Sequence, residues 1–389
     1  MKLFDFTLIE AVLLSVLGLF FLIQLLYQIL LYNRVHKHTT GVEKGKIPFS
    51  TDLPPLSVII CAKNETENLR NYLPAILEQD YPQFEVVVVN DSSSDDSEDF
   101  LKLLENKYPH LYHTFTPDGS RYVSRKKLAI TVGIKASKYE WLVFTEANCY
   151  PASKEWLRFM ARNFTEDTGI VLGYSGFEQE KGWLSLKSRM DNLFCVMRYL
   201  SAALLKKPYM GSGRNLAYRK ELFFHRKGFS SHLNLQRGED DLFINEIATP
   251  ANTRVETDKD AIIKIKPLKY QKEWQEEKMN YATNSLFFKG MQRYLMGAET
   301  FTRIIFYLVF MACLLLSMLN KQWIMLGISS SIFLIRYIVQ AIIFNKTSTD
   351  LGEGKYYFFL PVFDLLQPCY TLSFKIKRMF RKKREYMRK

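Results

Sequence analysis

The sequence predicts an α/β domain flanked by transmembrane helices, and three observations predict it. Short β-branched runs alternate with helix-periodic segments between residues 55 and 282, the pattern of βαβα units around a parallel sheet. Long apolar runs lie on either side of that span. Residues 142–151 (LVFTEANCYP) read as an apolar strand that stops on an acid, a small residue and an amide, and ligands of open α/β sheets collect where such strands end.

The membrane segments come first in order. Residues 11–32 form an uncharged apolar run, roughly 33 Å long as a helix and enough to cross a hydrocarbon core of about 30 Å. It is too long for a signal-peptide core and no small-residue cleavage site follows, so residues 1–32 read as a retained anchor. Residues 301–319 and 323–344 are a second apolar pair and read as a membrane hairpin, preceded by a juxtamembrane segment from residue 283. Arg336 interrupts it and is expected to face protein, because lipid exposure would cost several kcal/mol. Residues 356–374 carry Pro361, Asp364 and Pro368, which suit an interfacial or re-entrant segment better than a span.

The formal net charge of +13 is concentrated beside these segments. Nine Lys and Arg lie between Lys375 and Lys389, and Arg34, His36, Lys37 and His38 follow the first anchor. Positive charge next to spans marks the cytoplasmic side and attracts anionic lipid, which argues against nucleic acid as the partner. The predicted topology is a multi-pass cell-membrane protein with residues 55–282 and the tail, 345–389, in the cytoplasm. Five cysteines without CxxC spacing and six histidines without HExxH give neither a disulfide framework nor a zinc site.

After a polar connector, 33–54, the soluble domain opens with a strand at 56–61 and a helix pattern at Leu69, Leu73, Ile76 and Leu77. The next strand, 84–89 (FEVVVV), ends in a cluster of turn formers containing Asp91. Asp91 can accept from a base or ribose, or cap the following helix. The absence of GxGxxG and GxxxxGK[ST] disfavours a dinucleotide enzyme or a P-loop NTPase. Residues 124–137 predict a helix opened by Arg125, Lys126 and Lys127. Bases there oppose the helix dipole, so they fit a bound phosphate or plain surface charge.

Glu146 and Asn148 are spaced to aim two oxygens at one pocket, with Ala147 on the other face, and that suits a hard cation holding a diphosphate; a strand stop and turn would look the same. Helices are expected at 154–163 and 184–205, with a strand at 170–175 between them. Residues 211–218 (GSGRNLAY) allow close backbone approach to a ligand, with Arg214 facing a phosphate or an acceptor, or make a tight turn. Glu239, Asp240 and Asp241 crowd three carboxylates at a helix start, which serves the helix dipole and also raises at least one pKa, as a general base requires. Residues 270–281 mix aromatics with acids and Lys278, either along the membrane surface or over a bound diphosphate.

In this order the pieces resemble the family 2 membrane glycosyltransferases, from about residue 55 to 282. The resemblance implies a GT-A fold, a mixed-sheet nucleotide-diphospho-sugar transferase domain. Asn64 and Glu65 fall in the motif that ends the first strand, and Asp91 on the acid that touches uracil. Arg125, Lys126 and Lys127 fall on a GK-like motif, Glu146 and Asn148 on the metal-binding DxD, and Arg214 within GxGxNLAY. Asp240 falls on the catalytic base, and Gln275 with Lys278 on a weakened QxxRW, for which another register gives Glu277, Asn280 and Tyr281. The DxD has lost one negative charge. At about 4 Å and an effective dielectric near 20, a unit charge interacts by about 4 kcal/mol with each charge on its partner, so divalent binding (Mg or Mn) is expected to be weakened.

The implied chemistry is inverting transfer of a sugar from a nucleotide-diphosphate sugar, UDP-sugar favoured, to a lipid-linked or membrane-proximal acceptor. Asp240 would deprotonate the acceptor hydroxyl. The altered DxD and QxxRW supply the competing expectation, a fold that binds nucleotide sugar or a partner without transferring.

Overall fold

A computed structural model describes residues 6–117 and 124–380. Helix α1 (Leu8–Leu26) begins with a reciprocal cap between Thr7 and Glu10 and runs through a π-helical turn, Tyr27–Tyr32, into α2 (Arg34–Glu43). The stretch read as a connector therefore opens as helix. Its polar side docks rather than floats: His38 Nδ1 lies 3.2 Å from Thr257 Oγ1, and His36 Nδ1 2.7 Å from Asp350 Oδ2.

The domain proper alternates β1 (Leu56–Ala62), α3 (Thr66–Leu77), β2 (Phe84–Asn90), α4 (Ser97–Lys107), β3 (Leu111–Phe115), α5 (Arg125–Ala136) and β4 (Trp141–Glu146). Shorter elements follow: β5 (Cys149–Pro151), α6 (Trp156–Ala161), β6 (Ile170–Leu172), β7 (Ser175–Phe177), α7 (Trp183–Leu204), β8 (Leu216–Arg219) and α8 (Lys220–His225). Helix α9 (Asp241–Ile247), β9 (Thr253–Val255), β10 (Ile263–Ile265) and α10 (Gln271–Asn284) complete it. Helices α11 (Gln292–Leu319), α12 (Trp323–Asp350) and α13 (Leu360–Met379) come last.

Among the described residues the strands form a seven-stranded sheet in the order β3-β2-β1-β4-β8-β6-β9 and a three-stranded sheet, β5-β10-β7. The large sheet is mixed. Strands β1 to β4 are parallel, β8 runs antiparallel between β4 and β6, and β9 is parallel to β6. Val86 to Val89 are wholly buried, because helices cover both faces of the parallel half. Helix α5 lies especially close: a Cβ on Gly133 would come 2.8 Å from Ile59 Cγ2, so only glycine lets the helix seat there.

The single strand expected at 170–175 is two strands in different sheets. Asn215 makes the break. Its side-chain amide donates to the Tyr174 and Ala261 carbonyls and accepts from Trp156 Nε1, and it fills the space where a Cβ on Gly173 would stand.

Among the described residues, three helical segments, Leu8–Glu43, Gln292–Leu319 and Trp323–Asp350, are long and apolar enough to cross a membrane by length and composition. They pack on one another and meet the domain at α7, where Phe194 contacts Tyr32, Phe344 and Phe363. Arg336 faces protein, as the cost of lipid exposure requires. It pairs with Asp364 at 2.8 Å, and Asp364 also pairs with Arg303 at 3.0 Å and accepts from Tyr307 and Gln340. That network pins α13 to α11 and α12. The basic tail beyond residue 380 lies outside the described residues.

Candidate active site

The carboxyl ends of β1, β2 and β4 open onto a crevice of about 500 Å³, closed on the far side by the segment that leads into α9. Two loops are tied together at its rim. Asn64, with φ +54°, accepts from the Ser94 N–H at 2.8 Å, and its own N–H donates to Ser93 Oγ at 2.9 Å. Asn64 thus fastens β1 to β2 and does not itself line the crevice; its neighbours Lys63 and Glu65 do. Burial raises the Glu65 pKa, with the hydrogen bond from Asn68 working the other way.

Asp91 is buried at the end of β2 and accepts from Thr116 Oγ1 at 2.7 Å and from Arg125 Nε at 3.0 Å. The following helix is steadied by Asp95 instead, which accepts from the Ser97 N–H, so Asp91 is left facing the crevice. The three bases that open α5 diverge. Arg125 meets Asp91, and Lys126 bridges Glu146 Oε1 at 2.6 Å and Glu239 Oε1 at 3.1 Å. Lys127 turns away from the crevice: fully buried, it donates to the carbonyls of His232 and Leu235 at 2.6 and 2.9 Å. Burial lowers its pKa to about 8. Lys127 therefore braces the wall segment rather than contacting a ligand.

Glu146 ends β4 and holds Lys126 on one oxygen and Arg214 Nε, at 2.9 Å, on the other. Burial works to raise its pKa, yet the two cations hold the carboxyl well below the usual range. The strand stops at Glu146 and a turn follows, so Ala147 lines the crevice with Asn148 rather than facing away. Asp240 lines the same cavity. Its oxygens accept from the Gly213 N–H at 2.8 Å and the Asp241 N–H at 2.7 Å. Burial and the neighbouring Glu239 raise its pKa, against Lys126 and the two amides. Asp241 points inward to Asn284 and is structural.

Of the residues singled out in the sequence, Glu65, Asp91, Lys126, Glu146, Asn148 and Asp240 line one crevice, and Arg214 reaches it through Glu146. Asn64 and Lys127 stand behind the wall. Gln275 is exposed on α10, and Lys278 pairs with Asp191 outside the crevice. Instead Glu277 of that helix reaches Arg214. Arg125, expected with Lys126 and Lys127 at a phosphate, holds Asp91 in this crevice, and Glu239, which the sequence offered only as a crowded neighbour of Asp240, joins it through Lys126.

The donor set accommodates a divalent cation. Among the described residues no three His, Cys, Asp or Glu side chains form a metal cage. Yet Glu146 and Glu239 converge on one ammonium, and the second oxygen of Glu239 is buried without a partner. An ion held by one or two carboxylates draws its remaining ligands from substrate phosphates, which this geometry permits.

Comparison with known proteins agrees with the architecture. Residues 57–225 match the model of Glycosyl transferase family 2. The chain is 28% identical over 108 residues to the uncharacterized glycosyltransferase YibD of Escherichia coli, covering 27% of this chain and 30% of that protein. It is 32% identical over 112 residues to glycosyltransferase AglE of Haloferax volcanii, covering 28% and 34%. The matched stretch thus spans about a third of those relatives. In fold, the chain is similar to the mannosyltransferase PcManGT of Pyrobaculum calidifontis, solved with GDP-Man and Mn²⁺, with a TM-score of 0.57, 17% identity, and 96% and 99% of the two chains covered.

Proposed function

We propose that this chain, which through residues 57–225 belongs to glycosyl transferase family 2, is a membrane-bound transferase. It moves a sugar with inversion from a nucleotide-diphosphate sugar to a lipid-linked or membrane-proximal acceptor. The observation that carries the reading is the meeting of Asp240, its pKa raised, with Lys126, Glu146 and Arg214 around one crevice at the strand ends.

Asp91 accepts from the base or ribose of the donor, and the resemblance of its motif to a uracil contact favours UDP-sugars. Lys126 and Arg214 turn from Glu146 to the diphosphate, where their charge stabilises the leaving group as the glycosidic bond breaks. Asp240, held by two backbone amides, takes the acceptor's hydroxyl proton as its oxygen attacks the anomeric carbon. Glu146, Asn148 and Glu239 would hold a divalent cation, Mg²⁺ or Mn²⁺, which supplies Lewis-acid charge to the diphosphate when bound. Three apolar helices of spanning length support a multi-pass membrane protein, and the bases after the first support a cytoplasmic domain.

The test is a thermal-unfolding screen of the purified chain against nucleotide sugars, followed by transfer to membrane extracts with the one that protects. Transfer is expected. Protection without any transfer would replace this reading with that of a fold that binds but does not react, which the neutral Asn148 motivates.

A further inference from the structure

Helix α13 presents two unlike faces. Leu360, Phe363, Asp364, Gln367 and Phe374 are buried against protein. Val362, Leu365, Cys369, Leu372, Ile376 and Met379 are exposed and recur every three or four residues, so they form one stripe about 25 Å long at 1.5 Å per residue. Phe358, in the turn that leads into the helix, is 90% exposed. Lys375 and Lys377 are exposed toward its other end.

The depth of α13 follows from the helices that hold it. Glu10 of α1 accepts from Asn320, between α11 and α12, at 2.9 Å, so Leu8, Leu319 and Trp323 mark one common end of the bundle. Asp364 pairs with Arg303 and Arg336, and Arg336 donates to Gln24 at 3.2 Å. Gln24, Arg303 and Arg336 stand roughly 24, 24 and 20 Å from that end at 1.5 Å per residue. In a hydrocarbon core of about 30 Å the cluster is then ~6–10 Å inside the boundary nearer the sheet domain, and interfacial helices bury their apolar face by about 5–10 Å. Arg34, Arg293 and Lys346 lie another ~15 Å along the same helices, beyond that boundary.

We propose that α13 is an in-plane membrane-docking helix, whose stripe enters the leaflet on the side of the sheet domain while Lys375 and Lys377 meet anionic head groups there. The proposal rests on the membrane-bound part of the proposed function and not on its chemistry. Docking reaches the crevice through α10. Trp274 of that helix packs edge-on against Tyr370 and Phe374, Arg378 donates to the Ala282 carbonyl at 2.8 Å, and Glu277 touches Arg214. The crevice is thereby held at the bilayer surface, where a membrane-proximal acceptor would meet it.

Cys369 supplies the probe, being exposed at mid-stripe while the other four cysteines are buried or half-buried. The full chain is labelled there with a bimane maleimide and placed in lipid nanodiscs. Its fluorescence should be quenched by doxyl-labelled lipid and spared by aqueous iodide, and Leu372→Cys in a Cys369→Ser background should behave alike. Lys102→Cys in that background, exposed on α4, should show the reverse. Lipid quenching of the stripe should be stronger with phosphatidylglycerol present than in phosphatidylcholine alone, a difference that Lys375→Gln with Lys377→Gln should narrow. Quenching of both stripe labels by iodide, or by neither agent as under a second copy of the chain, would overturn the proposal, as would equal quenching in the two lipids. Leu19→Cys, exposed on α1, separates the two failures. If it is lipid-quenched and the stripe is not, only the docking of α13 is wrong; if neither is, the membrane-bound reading falls as well.

Discussion

Asn148 is the residue at which the crevice departs furthest from what a divalent cation prefers, since it offers an oxygen without charge beside a Glu146 already shared by two cations. Asn148→Asp restores one negative charge to the donor set. It should tighten Mn²⁺ by about tenfold or more, read as a leftward shift of the Mn²⁺ dependence of donor binding; one screened unit charge at a few ångströms exceeds the 1.4 kcal/mol that tenfold requires. On the proposed mechanism the acid limb of the pH–rate profile should be set by Asp240. Its folded pKa is raised, so the base form, and with it turnover, is gained as pH rises through a value above the usual aspartate range. Glu239 is a cause of that elevation, and Glu239→Gln should move the acid limb to lower pH. An unmoved limb would mean another group sets it. The individual acids were legible in the sequence because each interrupts an apolar or glycine-rich run. Which of Arg125, Lys126 and Lys127 faces the crevice was not, because three successive residues on a helix point about 100° apart and nothing local says which direction is solvent.

At the scale of elements, α5 is fixed from both ends. Gly133 lets it touch β1, and the Lys127 ammonium joins its first turn to the segment 232–235 that walls the crevice. Lys127→Met removes that tie and leaves the Leu235 carbonyl without its donor, while the His232 carbonyl keeps the Leu235 N–H. It should cost about 2–3 kcal/mol in denaturant unfolding, from loss of charge-assisted hydrogen bonds, and should loosen donor binding without moving the pH profile. The parallel strands were readable as continuous apolar runs, since both faces are covered. The antiparallel β8 and the break between β6 and β7 were not, because both follow from Asn215 bonding across two sheets, a long-range fact. Helix α2 was hidden for the opposite reason: its polar sequence looks like linker until Thr257 and Asp350 are there to receive it.

For the molecule as a whole, the packing of α1, α11, α12 and α13 against one another is polar at its centre. Arg303 and Arg336 share Asp364 in a fully buried cluster, with Gln24 of α1 accepting from Arg336. Asp364→Asn leaves two guanidiniums without their shared counter-charge and should destabilise the chain by about 3–5 kcal/mol, seen as a lower midpoint of thermal unfolding in detergent. An unchanged midpoint would show that the cluster contributes nothing to holding α13. The sequence pointed to Arg336 as inward-facing through the cost of lipid exposure, but its partner sits beyond the hairpin and has no local signature. The same limit held for the crevice. Residues 146 and 240 are distant in sequence, and only the order of several motifs, not any one spacing, suggested that they meet.

The most direct test of that meeting is to measure donor affinity and turnover together for Asp240→Asn, using the nucleotide sugar that best protects the wild-type chain. If Asp240 is the base, affinity should hold within about twofold while turnover falls by roughly 10²–10⁴. Undiminished turnover in Asp240→Asn would contradict the assignment of this crevice as the place where transfer occurs.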